Sequence, residues 1–319
     1  MMPDYLAEAL LQYGMPDAQA ELIRHNENMT FRVDGRYLLR IHKHAEGFFT
    51  DSLYEGLNRA EIYRRELEFL TFLLANGMPV QKPCTNRNGR FVTILSDGTA
   101  ATLLTWLPGR IPEKDAVDSE LCFQMGELTG RLHKLARLSP KIPVLKYDSD
   151  LCCRLKRKLE QKREEGAWDA ACARNMGDAL EYIAEKLRGA ENDMILTHGD
   201  LSLSNILITS NGLIPIDFSL FGYCHPMMDL SSLFCNLNGL ESRRAAAAGY
   251  VSAGGNICMG MIDCCFALNI LLSILLHCGR WPEEEWFPVR LKRWCREVFE
   301  PLAGGEALFS DDFYLLHVK

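Results

Sequence analysis

A two-lobed α+β chain, with a small antiparallel-sheet lobe ahead of a larger helical one, is predicted by three features of the sequence. Strand-like alternation and tight-turn dipeptides crowd the first third. Helical periodicity dominates beyond residue 109. The length, 319 residues, exceeds the ~250–300 at which single cores stop growing. The boundary is expected near residue 105, dividing the chain into lobes of residues 1–105 and 106–319.

The first lobe opens on a short amphipathic stretch carrying Tyr5, Leu6, Ala9 and Leu10. Residues 29–33 and 36–42 then alternate about Asp34-Gly35, a dipeptide favoured in hairpin turns. Across residues 61–76, Ile62, Leu67, Phe69, Leu70, Leu73 and Leu74 recur at helical spacing, and Asn76-Gly77 with Pro79 supplies a stop. A second hairpin is expected from 90–95 and 100–106 about Ser96-Asp97-Gly98-Thr99, after which Leu107-Pro108-Gly109 breaks the pattern. In the second lobe helices are expected over 119–138, 150–166, 167–187, the region near 240–278, and 287–299. Only 205–208 and 213–216, about Ser210-Asn211-Gly212, read as strands there.

Composition narrows the function classes. Apolar residues make up 48% and charged residues 24%, ordinary for a folded globular chain. The formal charge of −7 provides no overall positive field for nucleic acid or an anionic membrane, so neither partner is expected. The twelve cysteines include the adjacent pairs Cys152-Cys153 and Cys264-Cys265 but no C-x-x-C spacing, which favours free thiols over disulfides or zinc. The start, Met1-Met2-Pro3-Asp4-Tyr5, lacks a basic segment followed by an apolar run, so a cytoplasmic location is expected. Residues 264–278 are the most apolar stretch, shorter than the ~20 residues of a membrane span, and read as a buried core helix.

Chemistry concentrates in Thr197-His198-Gly199-Asp200-Leu201-Ser202-Leu203-Ser204-Asn205, followed after a short hairpin by Ile216-Asp217-Phe218-Ser219. His-Gly-Asp with Asn five places after the Asp arises by chance in roughly one chain of this length in a thousand. Phosphoryl transfer calls for these residue types. A nucleotide triphosphate is handled as a magnesium complex, and a carboxylate (Asp217) with an amide oxygen (Asn205) supplies hard ligands while leaving room for phosphate and water. Asp200, on the preceding loop, is suited to accept the proton of an attacking hydroxyl.

These segments resemble the catalytic and metal-binding motifs of the protein-kinase-like small-molecule phosphotransferases, the aminoglycoside phosphotransferase, choline kinase and homoserine kinase group. The resemblance implies a bilobal protein-kinase-like fold. It further implies ATP, with GTP as the alternative, in the cleft, with Mg2+ below it. At matching positions it implies Asp200 as base, Asn205 and Asp217 as metal ligands, and His198 as support of the loop. Residues 26–33, containing Asn28, resemble the phosphate-covering hairpin. Leu38-Leu39-Arg40 resembles the third strand, and Arg65-Glu66 the start of the helix that follows. Thr105-Trp106-Leu107-Pro108-Gly109 is similar to the hinge where adenine hydrogen-bonds to backbone, and Gly130-Arg131-Leu132-His133 to the next long helix. Asp229 is similar to a structural Asp that caps a helix and braces the catalytic loop. Together these matches cover most of residues 24–234.

Two positions depart from the pattern: Arg40 stands where a Lys is usual, and Asp-Phe-Ser where Asp-Phe-Gly is usual. Arg keeps the charge but changes the geometry. Glu61, Glu66 and Glu68 are all candidates to pair with Arg40, Glu66 being the position the resemblance selects. Only residues 218–228 separate Asp217 from Asp229, too few for a peptide-binding activation segment, so a small-molecule hydroxyl acceptor is expected. Acidic runs at 112–115, with Asp118 and Glu120, and at 281–286 would suit a cationic acceptor; the basic residues Arg290, Lys292, Arg293 and Arg296 would suit an acid-bearing one. The alternatives are an inactive nucleotide-binding scaffold and a protein kinase.

Overall fold

The computed structural model describes residues 4–317. The chain divides into two compact units. The first comprises Met1–Phe48, Gly56–Gly109 and Lys141–Pro143; the second comprises Phe49–Glu55, Arg110–Pro140 and Val144–Lys319.

The first unit begins with α1 (Tyr5–Gln12), capped by Asp4, whose side chain accepts from the Ala7 N–H. Strands β1 (Ala20–His25), β2 (Met29–Val33) and β3 (Tyr37–Ile41) follow; after them α2 (Asp51–Tyr54), a single turn, already belongs to the second unit. Helix α3 (Arg59–Ala75) and strands β4 (Pro83–Cys84), β5 (Val92–Ile94) and β6 (Ala100–Thr105) complete it. The sheet runs β1-β2-β3-β6 with antiparallel pairing throughout, and β4 and β5 share the far edge of β6.

Strand alternation explains what β3 buries. Leu39 and Ile41 join Phe31, Val33, Ala101 and Leu103 in a core closed by Ala9 and Leu10 of α1. Arg40, one residue out of phase, reaches Glu66 of α3 instead. Asn58 caps α3 by accepting from the Glu61 N–H, and Gly77, at φ +81°, ends it.

The second unit holds α4 (Ser119–Ala136), β7 (Leu145–Lys146), α5 (Ser149–Glu164), α6 (Ala170–Gly189) and β8 (Ile195–Thr197). The hairpin β9 (Ile206–Thr209) and β10 (Gly212–Pro215), then β11 (Gly222–Cys224), lead into α7 (Met227–Asn236), α8 (Leu240–Ser252), α9 (Met259–Leu276), α10 (Phe287–Trp294) and α11 (Glu300–Ala303). Asp118, Asp148 and Asp169 cap α4, α5 and α6 through side-chain acceptance of a backbone N–H. Helix α9 is long and apolar enough to cross a membrane, yet it is mostly buried in this unit, packed on α6 and α7. That matches the core helix expected over 264–278.

The expected helices fall close to their positions, the 240–278 region splitting into α8 and α9, while α7 lies outside every expected span. Strands are where the sequence reading needs correction. The helical half contains a three-stranded sheet, β7-β11-β8, that was not expected; strands of two or three residues are too short to show alternation. Strand β1 was also missed. It is an edge strand whose Leu22 and Ile23 both lie exposed, so it has no buried face to imprint a pattern.

Candidate active site

The loop after β8 is held by buried hydrogen bonds. Asp229, in the first turn of α7, accepts from the His198 N–H (2.8 Å) and the Gly199 N–H (2.9 Å) on separate carboxylate oxygens, and His133 Nε2 of α4 lies 2.9 Å from Oδ2. Asp229 thus braces the loop rather than capping its own helix; no side-chain cap is made at α7. Burial pushes its carboxyl up, but the His133 hydrogen bond and the His133 and His198 fields outweigh that and hold it below the ordinary value.

His198 is enclosed and stacked on Phe218, ring centroids 4.3 Å apart. Its Nε2 is 2.9 Å from the Ile216 carbonyl, which can only accept, and its Nδ1 faces the Asp200 N–H at 3.4 Å. The tautomer is therefore Nε2–H, and burial lowers the imidazole's pKa, keeping it neutral. Gly199 sits at φ +83°, and a Cβ there would come within 2.1 Å of the Leu220 carbonyl oxygen. That same carbonyl accepts a 2.5 Å hydrogen bond from Tyr147.

Two of the three expected polar residues, Asp200 and Asn205, meet beyond this brace. Asn205 Nδ2 donates to the Asp200 carbonyl (2.8 Å) and to Asp200 Oδ2 (2.9 Å), which leaves Oδ1 as the amide's remaining acceptor. The Asn205 carbonyl accepts from the Ile216 N–H at 2.9 Å as an extension of the β9–β10 ladder, so Asp217 is the residue next to Asn205's partner. Asp217 itself adopts φ +61° and ψ +68°, a left-handed conformation uncommon outside glycine and a mark of functional strain. Among the described residues no three His, Cys, Asp or Glu side chains form a metal cage. That donor set fits magnesium, which takes one or two protein oxygens and completes its shell with phosphate and water.

Asp200 also lines a cavity of about 420 Å³ in the second unit, a size suited to a metabolite. The sequence-based candidates for its walls are sorted here. Arg290 and Arg293 line it, as does Lys114 from the 112–115 run, whereas the acidic residues Glu283, Glu284 and Glu285 do not. Arg243 and Asn269 were not anticipated; they come from α8 and α9, and nothing local in the sequence marks them.

In the first unit, Arg40 Nη2 and Glu66 Oε1 are 2.7 Å apart with both side chains almost wholly enclosed. The choice among Glu61, Glu66 and Glu68 is thereby resolved: Glu61 and Glu68 pair with Arg64 and Arg65 on the half-exposed face of α3. Asn28 is buried in the turn between β1 and β2. At the expected hinge, the Thr105 N–H donates to the Lys82 carbonyl and its carbonyl accepts from Gln81 Nε2. The Trp106 N–H donates to Arg36, and the Arg32 guanidinium stacks on the Trp106 ring. The Trp106 carbonyl and the Leu107 N–H have no such partner among the described residues.

With this geometry in place, the comparisons are informative. The sequence profile described as the phosphotransferase enzyme family matches residues 20–263. The chain belongs to that family. Among phosphotransferases, it is similar to an amicoumacin kinase of Bacillus subtilis (strain 168), 22% identical over 240 residues that span 73% of this chain and 67% of that one. A solved amicoumacin kinase, in complex with AMP-PNP, Ca2+ and Ami, superposes with a TM-score of 0.66 at 17% identity, covering 88% of each chain. A microcompartment-associated aminopropanol kinase gives 0.70 at 20% identity, covering 93% of this chain and 97% of that one. The GDP complex of an aminoglycoside 2'-phosphotransferase gives 0.63 at 16%, covering 92% and 96%. The bilobal kinase-like fold of the phosphotransferases is thus the fold of this chain; of these neighbours, the amicoumacin kinase holds AMP-PNP with Ca2+ and the 2'-phosphotransferase holds GDP.

Proposed function

We propose that this phosphotransferase moves the γ-phosphate of ATP, handled with Mg2+, to a hydroxyl of a small molecule. The observation that carries the reading is the double role of Asp200. Its carboxylate is oriented by Asn205, and the residue lines the cavity in which an acceptor would sit. In the reaction, Asp200 takes the proton of the acceptor hydroxyl as that oxygen forms a bond to the γ-phosphorus. The bond from phosphorus to the bridging oxygen breaks, and the nucleoside diphosphate leaves. Asn205 through Oδ1 and Asp217 through its carboxylate would hold the metal, whose chemistry there is to neutralise the phosphate charge.

Arg40, fixed by Glu66, supplies a cation for the phosphates, and Asn28 supplies a polar contact to them. Of the hinge residues Thr105, Trp106 and Leu107, the Trp106 carbonyl and Leu107 N–H are the groups left to read the nucleotide base. A small acceptor is favoured because residues 218–228 are taken up by one 3₁₀ turn, strand β11 pairing with β8, and the start of α7. Twelve free cysteines support a reducing, cytoplasmic setting.

The test is a pair of variants, Asp200→Ala and Asp200→Asn. Phosphoryl transfer should fall by about 10²–10⁴-fold, while binding of a non-hydrolysable nucleotide with Mg2+, followed by calorimetry, persists. Chelating the divalent ion should abolish transfer and adding Mg2+ should restore it. Full activity in either variant, or transfer confined to peptides in a library screen, would reject the assignment.

A further inference from the structure

We propose that the acceptor carries an anionic group, a carboxylate or a phosphate, which Arg243 and Arg290 receive in the cavity that Asp200 lines. This rests on the phosphotransfer reading above and names the substrate class of the same site.

Arg243 is the key observation. It is buried in α8, with 9% of its surface exposed, yet no carboxylate reaches it among the described residues. One nitrogen, Nη1, donates to the Phe313 carbonyl at 3.0 Å, and Nε has no hydrogen-bond partner. Other arginines of this unit are treated differently. Arg244, the next residue, is exposed and pairs with Glu241 and Asp312, while Arg293 and Arg296 share Glu297. A buried guanidinium without a counter-charge is costly, and burial accordingly lowers its pKa. A ligand oxyanion entering the cavity would supply the missing partner and the bidentate geometry that guanidinium favours.

The rest of the cavity agrees in sign. Lys114, Arg243, Arg290 and Arg293 line it against two carboxylates, Asp200 and Glu297, and Glu297 is already committed to arginines. His277 stacks on Trp281 at 4.5 Å, and the Arg290 guanidinium lies over Trp294 at 5.8 Å, so one face of each ring is already taken by the protein. An amine would meet repulsion here, and an acid attraction.

The experiment uses the full chain with ATP and Mg2+ and a panel of short hydroxy acids and monophosphorylated diols. Each is matched by its uncharged amide or diol and by the amine of the same length. The anionic members should show kcat/KM at least tenfold above their neutral counterparts and a hundredfold above the amines, with acids and phosphates separated by which arm responds. Arg243→Gln should lower kcat/KM for the anionic members at least tenfold more than for the matched neutral ones, chiefly through KM, and Arg243→Lys should recover part of the loss. Should the Arg243 variants fail to fold, Arg290→Gln, at an exposed position of α10, should shrink the same preference about threefold or more. Amines or neutral alcohols turned over as well as acids, or no anionic member turned over or raising the melting temperature, would overturn the proposal. Transfer to an amine as efficient as to its matched acid would sink this inference while leaving the phosphotransfer reading intact; failure to bind a nucleotide with Mg2+ would sink both.

Discussion

The carboxylate of Asp229 accepts from two consecutive backbone N–H groups and faces a buried imidazole, so each of its oxygens is in use. An amide in its place offers one oxygen and turns an NH2 donor toward a group that is itself a donor. Asp229→Asn should therefore destabilise the second unit by about 2–4 kcal/mol, since stranded buried donors cost more than the bond they lose. A urea titration measures this, and an unchanged midpoint would show that the brace is dispensable. Gly199 is constrained for a different reason. Its φ of +83° and the 2.1 Å approach to the Leu220 carbonyl exclude any Cβ. Gly199→Ala should displace the loop that carries Asp200 and reduce transfer by at least tenfold even where the protein remains folded by circular dichroism.

At the level of elements, α4 and α8 cross with their backbones nearly touching. A Cβ at Gly126 would lie 1.8 Å from the Ala246 carbonyl oxygen, and one at Gly249 1.9 Å from that of Phe123. The crossing positions His133 of α4 and Tyr250 of α8 so that the Tyr250 hydroxyl and His133 Nδ1 are 3.0 Å apart, linking helix packing to the loop brace. Gly126→Ala or Gly249→Ala should each cost about 2–3 kcal/mol by overpacking, read as a lowered denaturation midpoint; wild-type stability in both would contradict the crossing. In the first unit the β3–α3 contact is the Arg40–Glu66 pair. Arg40→Ala removes the guanidinium from beside a buried carboxylate and should cost about 3–5 kcal/mol. The double replacement Arg40→Met with Glu66→Leu should return most of that stability but not nucleotide affinity, separating the structural role of the pair from its proposed role toward phosphate.

For the whole molecule, buried histidines set the pH response. Burial lowers the pKa of His42, His198 and His277, and of His225 to about 4. In the unfolded chain each titrates near ~6.5. Below that pH the unfolded state binds protons that the folded state does not, so the histidine contribution is fully present above ~6.5 and is lost as pH falls, that of His225 through about 4. Asp263 opposes this, because burial raises its carboxyl to about 6; its contribution is present at acid pH and disappears as pH rises through 6. Four groups against one should make stability rise between pH 4 and 7. Urea midpoints at pH 5 and pH 7.5 check the sign, and a higher midpoint at pH 5 would refute it.

The sequence by itself determined the two-part architecture and the long helices, and it marked Asp200, Asn205 and Asp217 as candidates, because each is written in short-range spacing: helical periodicity, turn dipeptides, or a motif closed by one hairpin. Tertiary structure decided the remainder. Glu66 rather than Glu61 or Glu68 meets Arg40 because only one face of α3 packs on the sheet, and strands too short or too exposed to carry alternation became visible only through their pairing. Arg243, Trp281 and Arg290 share a cavity because α8, the turn after α9, and α10 converge there. No spacing along the chain encodes that convergence, since it depends on how distant helices pack.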